Sequence, residues 1–266
     1  MRKKVVIIIL TVALFFGMTI LGVFTTFRVD SVTLETSKIS EPAEAESQEL
    51  LKRLESVYVK ENIFTAKQSD ADEVMSEFPY FRITSFKRAY PNRIVITVSE
   101  GEEVYALENS EEEGKYYILN GEGTVLGERE DPNNRLGGSR NVILRNFTCA
   151  GEKGGKLNGD VAIVPTLEIC MSISERLNGI RGNLESVEVL ARTSPVDGIV
   201  LLFKMQEGVE IYFYTAENNM LEKTVIALDA YFALSEFEKM SGCIMVYDNI
   251  DGMPTTAYRP EGGLPA

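Results

Sequence analysis

The chain has 266 residues, of which 44% are hydrophobic and 25% charged, values of a folded protein rather than a disordered one. Its net charge is −13, and setting aside Arg2, Lys3 and Lys4 leaves 24 Lys+Arg against 40 Asp+Glu, a remainder of −16. That balance repels nucleic-acid phosphates and anionic lipid headgroups, so nucleic acid is not expected among the partners.

Arg2, Lys3 and Lys4 precede an uncharged run from Val5 to Phe27, VVIIILTVALFFGMTILGVFTTF. As a helix this run reaches roughly 35 Å, against a hydrocarbon core of about 30 Å. Residues 5–27 are therefore expected to form an uncleaved transmembrane signal anchor. A cleavable signal has a shorter apolar region and a small-x-small site, which Gly22-Val-Phe-Thr-Thr-Phe matches poorly. The basic triplet makes residues 1–4 a short cytoplasmic tail and places the rest outside, a single-pass type II arrangement in the cell membrane.

Arg28 to Thr36 reads as a short strand with Val32 and Leu34 on one face. Ser37 to Ala45 is polar, contains proline and reads as a connector. Leu50, Leu51, Leu54, Val57 and Tyr58 then form an apolar helical stripe. Ser69-x-x-Asp72 predicts a capping box for a second helix carrying Ala71, Val74, Met75 and Phe78, stopped by Pro79. Strands follow at Phe81 to Tyr90 and Arg93 to Ser99, joined by the Pro91-Asn92 turn, with Ile94, Ile96 and Val98 facing the helices. Two helices on a three-stranded sheet in β-α-α-β-β order make a small α+β domain.

Several of these residues carry a family resemblance. Asn62-Ile63-Phe64, Asp72-x-x-Met75, Phe78-Pro79-Tyr80-Phe81 and the run from Phe86 to Glu100, FKRAYPNRIVITVSE, resemble in this order the POTRA domain of FtsQ/DivIB cell-division proteins. The shared pattern is a helix ending in proline, a strand ending in basic-x-x-Pro and a strand closing on glutamate. Two loop features depart from it: Glu35-Thr36 replaces the usual glycine-asparagine turn, and Glu103 lies near the place of a proline. The resemblance implies a POTRA-like domain at 28–100, a β-rich domain with two helices at 101–258, and a loose tail at 259–266.

In the second part, Val104 to Leu107 and Lys115 to Leu119 are strand-like, and Asn120-Gly121-Glu122-Gly123 is a hairpin turn signal. Glu111-Glu112-Glu113 reads as a solvated loop tip, Asn141 to Phe147 as a strand, and Gly151 to Gly159 as a mobile loop. Leu167, Cys170, Ile173 and Leu177 predict a helix from around Pro165. Strands are expected at Leu184 to Leu190, Gly198 to Met205 and Val209 to Tyr214. Leu221, Val225, Leu228 and Phe232 mark one longer helix ending near Gly242. Cys243 to Tyr247 is the last firm strand, with Thr255 to Tyr258 placed at an edge.

Catalytic chemistry finds little support. The chain has no His and 3 Cys, so an ordinary zinc site is not expected, and Cys149, Cys170 and Cys243 read as buried free thiols. No GxSxG, SxxK or Walker A pattern occurs, and Gly121-x-Gly123 fits a hairpin better than a dinucleotide fingerprint. No catalytic residue, metal, cofactor or small-molecule substrate is expected. The resemblance implies instead a non-enzymatic scaffold at the division septum. Such proteins bind small bitopic partners of the FtsB/DivIC and FtsL type and help regulate septal peptidoglycan synthesis. By position, partner binding falls on Cys243, Ile244, Met245, Val246, Tyr247 and Tyr258. The plainer reading is that inward-facing side chains of this set complete the core; strand addition uses main-chain groups, so both can hold. The alternatives are a membrane-anchored envelope enzyme, which needs a pocket gathering Glu, Lys or Ser, and a POTRA-bearing secretion or assembly scaffold.

Overall fold

The computed structural model describes residues 11–18, 22, 25–37, 39–110, 112–135, 140–192 and 198–261. Among these, no helix is long and apolar enough to cross a membrane. The expected N-terminal transmembrane helix is therefore corrected. Residues 11–18 are helical, but such a segment rises only about 12 Å, well short of a bilayer core. Much of the expected 5–27 span and the whole 1–4 tail lie outside the described residues.

The chain divides into two compact units, Met1–Gly101 and Glu102–Ala266. The first contains β1 (Ser31–Ser37), α1 (Glu41–Tyr58), α2 (Gln68–Met75), β2 (Phe81–Ala89) and β3 (Arg93–Glu100). Its sheet has the order β1-β3-β2, with β1 parallel and β2 antiparallel to β3. Leu50, Leu54 and Tyr58 of α1, Ala71 and Val74 of α2, and Ile94, Ile96 and Val98 of β3 fill one buried cluster.

Both helix starts differ from expectation. α1 begins inside the stretch read as a connector, because Ser40 caps it, accepting from Ala43 N at 3.3 Å, and its proline falls in the first turn. That turn needs no proline N–H. The Glu100 carboxylate, at the end of β3, in turn accepts from Ser40 N at 2.6 Å and Ser40 Oγ at 2.9 Å. Glu100 thus ties the helix start to the sheet. Glu100→Ala is expected to cost the first unit about 1–2 kcal/mol, the worth of a charge-assisted cap contact. Urea unfolding followed by an α1 amide probe checks this, and an unchanged midpoint would show the tie to be unimportant. α2 starts at Gln68, with Lys67 as N-cap and Lys67 N donating to Asp70 at 3.3 Å. Asp70, not Asp72, reaches back across the first turn, and the Lys67 ammonium cannot accept in return, so a single bond from Lys67 N to Asp70 stands in place of the expected Ser69-x-x-Asp72 box.

The second unit contains β4 (Glu103–Glu108), β5 (Tyr116–Asn120), β6 (Val125–Arg129), β7 (Val142–Arg145), α3 (Ile163–Arg176), β8 (Leu184–Ala191), β9 (Val200–Met205), β10 (Glu210–Phe213), α4 (Met220–Ala233), α5 (Glu236–Lys239), β11 (Cys243–Asp248) and β12 (Pro254–Arg259). They build one 9-stranded sheet, ordered β12-β11-β10-β9-β8-β7-β4-β5-β6. The pairs β4/β7, β7/β8 and β10/β11 are parallel and the others antiparallel. Ile169, Cys170 and Ile173 of α3 and Ala227, Leu228 and Tyr231 of α4 pack on one face of this sheet.

The fold class is corrected here too: among the described residues the second unit carries three helices on a mixed sheet, not two. The single long helix expected to end near Gly242 breaks at Ser235. Ser235 N donates to the Glu238 carboxylate at 2.8 Å and Glu238 N to Ser235 Oγ at 3.4 Å, a capping box that starts α5 afresh. The glycine-rich stretch from Gly151 to Gly159 is pinned to the sheet rather than loose. Val125 N donates to Gly155 O at 2.9 Å and Gly154 N to Val125 O at 2.8 Å.

Candidate partner-binding edge

β12 is the terminal strand of the large sheet and, among the described residues, has a neighbouring strand on one side only, β11. The direction of its main-chain groups follows from β11. Glu210 N donates to Gly242 O at 3.1 Å and Tyr214 N to Val246 O at 2.9 Å, so the even-numbered residues of this segment address β10. Cys243, Met245 and Tyr247 therefore address β12, where they meet Arg259, Ala257 and Thr255. By the alternation of an antiparallel ladder, Pro254, Thr256 and Tyr258 turn their main chain away from β11. Pro254, which has no N–H to leave unpaired, sits at an outward position, where edge strands accept proline. Thr256 and Tyr258 each direct an N–H and a C=O outward.

The hairpin that sets this register is local in origin. Asn249 Oδ1 accepts from Asp251 N and Met253 N at 2.9 Å, and Gly252 takes φ 74° to close the turn. Deeper support comes from Lys223, whose side chain is 0% exposed. Its ammonium contacts Asp248 Oδ2 at 2.7 Å and donates to Tyr214 O, Thr215 O and Thr215 Oγ1 at 2.8 Å each. One buried cation thus holds the ends of β10 and β11 to α4. Burial pushes the Asp248 carboxyl upward, but hydrogen bonds from Lys223, Asn219 and Thr215 and the Lys223 charge outweigh this. The group consequently lies below its ordinary range.

The six residues carried over by position separate under this geometry. Cys243, Ile244 and Val246 are buried, with Ile244 and Val246 in the core cluster, and Met245 is half-buried. All belong to β11, whose main chain pairs on both sides with β10 and β12. Tyr247 is 38% exposed on the face opposite the helices. Tyr258 alone of the six stands on the edge strand; its ring packs against the core, and its hydroxyl donates to Glu238 O at 3.3 Å. Thr256 is not among those six, and Pro254 next to the predicted edge strand is the sequence signal for its outward main chain. Around this edge, Phe232, Phe237, Met240, Ile250 and Met253 are exposed large apolar side chains.

Two other sheet ends, β6 and β2, are less open to addition. The start of β6 is covered by Gly154 and Gly155. β2 carries a bulge between Ile83 and Ser85 and the charges Arg82, Lys87 and Arg88, features that discourage pairing.

Elsewhere, a cleft of about 490 Å³ gathers Glu102, Ser174, Glu175 and Arg181. Arg181 pairs with Glu102, and Ser174 and Glu175 are neighbours on α3, pointing to no nucleophile–base pair. No group of three His, Cys, Asp or Glu side chains among the described residues is placed to hold a metal ion. Cys149, Cys170 and Cys243 are buried thiols, and burial pushes the Cys170 thiol up to about 12. No protein-family model matches the chain, and no curated protein matches it.

Proposed function

We propose that the chain is a non-enzymatic scaffold of the cell-division machinery, of the FtsQ/DivIB type, working on the outer face of the cell membrane. It receives an extended segment of a small partner of the FtsB/DivIC or FtsL type as an added strand beside β12. In this way it helps to regulate septal peptidoglycan synthesis. The observation that carries the reading is the open edge of β12, with the outward main chain of Thr256 and Tyr258. Main-chain pairing supplies affinity in strand addition, and side-chain pockets beside the strand supply selectivity. The exposed apolar residues Phe237, Met240, Ile250 and Met253 offer surface for the latter.

Thr256→Pro tests this directly. It deletes an outward N–H and sets a ring on the open edge while sparing the ladder to β11, and edge positions tolerate proline. Partner capture is expected to weaken more than tenfold, with the unfolding midpoint nearly unchanged. Ala257→Pro, on the inward register, is expected to destabilise the unit because it removes a ladder bond. Titration against a synthetic partner segment reads the first effect and urea unfolding the second. Normal capture by Thr256→Pro would end the strand-addition reading. The division role has its own check: a fluorescent fusion should band at midcell, and depletion should give filaments. Uniform signal with normal septation would sink that role.

A further inference from the structure

The first unit carries an exposed aromatic cluster that capture at β12 does not use. Phe27, Phe64 and Tyr90 come from three separate segments, yet their ring centroids lie 4.9 Å (Phe27–Phe64), 5.6 Å (Phe64–Tyr90) and 6.4 Å (Phe27–Tyr90) apart. Phe64 is 53% and Tyr90 58% exposed. The segments are fixed from beneath. Ile63, 0% exposed, donates its N–H to Phe27 O at 2.9 Å, and Phe64 N donates to Asn62 Oδ1 at 2.9 Å. Asp30 N donates to Asn92 O at 2.8 Å and Arg28 Nε to Lys60 O at 3.1 Å. These bonds fix the three segments, so that the Phe64 and Tyr90 rings stay exposed while Phe27 is half-buried against the core of the unit.

Two further observations bear on what covers the cluster. The same segments carry Arg28, Lys60 and Arg93 against Asp30 and Glu61, a cationic balance in a chain of net charge −13. The repulsion from anionic lipid that the whole chain implies is thus reversed locally. The chain also runs back from Phe27 into the uncharged stretch that begins at Val5, and within its described part Val12, Leu14, Phe16 and Met18 are exposed.

We propose that this end of the first unit rests on an anionic lipid surface, with Phe27, Phe64 and Tyr90 in the headgroup zone and Arg28, Lys60 and Arg93 beside the lipid phosphates. Aromatic rings gain at the boundary between water and hydrocarbon, where an apolar body and a polarisable face are both accommodated. Nearby cations add attraction that fades within a Debye length. The seat requires contact with the membrane surface and is independent of strand addition at β12. It gives the unit a fixed orientation on the membrane rather than a free tether.

The chain contains 0 Trp, so one introduced indole reports alone. The full chain with Phe64→Trp is reconstituted into phosphatidylcholine/phosphatidylglycerol vesicles, with and without brominated phosphatidylcholine. Phe15→Trp in the uncharged run serves as a comparison position outside the aromatic cluster. The expected result is emission shifted to the blue and quenched by brominated lipid for Phe64→Trp. Combining Phe64→Trp with Arg28→Glu and Lys60→Glu should lower its quenching by more than twofold. Quenching of the Phe15→Trp protein with an unquenched, water-like Phe64→Trp spectrum would overturn the proposal. So would a blue-shifted but unquenched Phe64→Trp spectrum, which would mean a protein covers the rings, and so would absence of quenching at both positions.

Discussion

Lys223→Met is expected to destabilise the second unit by about 3 kcal/mol, at the lower end of the range for breaking one partner out of a buried ion pair. The side chain is 0% exposed and methionine keeps most of its volume, so packing alone predicts little change. The cost arises from what is left behind. Asp248 loses its neutralising partner, and the carbonyls of Tyr214 and Thr215 lose a donor. Asp248 keeps 20% of its side-chain surface in water, which is why the lower end applies. The pH dependence separates this account from a packing defect. The Asp248 carboxyl lies below its ordinary range in the folded protein, so its contribution is fully present above about pH 4, the unfolded value, and is lost as pH falls through the lower folded value. The difference in urea midpoint between wild type and Lys223→Met should accordingly narrow below about pH 4, as protonation removes the unpaired charge. A difference constant from pH 7 to pH 3 would assign the effect to packing.

Period and turn chemistry explain which parts of this fold were legible in the sequence. Ile94, Ile96 and Val98 alternate strictly, and Leu50 and Leu54 are one helical turn apart; each pattern reports a single buried face. Helix starts were harder, because Ser40 draws part of its capping strength from Glu100, a partner distant in sequence. The break at Ser235 was hidden by apolar residues that continue on both sides of it, with Phe232 before and Phe237 after. Pinning of Gly154 and Gly155 by Val125 is likewise a nonlocal event, invisible in a glycine-rich composition. At the candidate edge, the strand at Cys243 to Tyr247 and the edge at Thr255 to Tyr258 could both be read. The sequence does not indicate that β12 lies outside β11 and covers it, since sheet order is a tertiary property. Carry-over by position therefore named five residues of a strand that is paired on both sides. The Lys223 clamp had no signal beyond one lysine in a largely apolar helical stretch.

Phe203→Ala is expected to cost the second unit about 3–5 kcal/mol, a full aromatic deletion from a core that cannot collapse around the void. Phe203 is 0% exposed, and its ring meets that of Phe213 at 5.1 Å with planes at 65°, an edge-on arrangement that adds to burial. β9 is paired to β8 on one side and β10 on the other, so the backbone cannot move in to refill the space. The denaturant midpoint should fall with its slope unchanged, the sign of lost stability without a changed denatured state. A fall of less than about 1 kcal/mol would mean that the sheet relaxes around the cavity. The variant also calibrates the edge experiment. Under conditions where Phe203→Ala remains folded, its partner capture should match wild type, because the outward groups of Thr256 and Tyr258 are intact. Thr256→Pro should show the opposite combination, normal stability with lost capture. Only an interaction made by the open edge itself separates the two variants in this way; a general weakening of the unit would move capture and stability together in both.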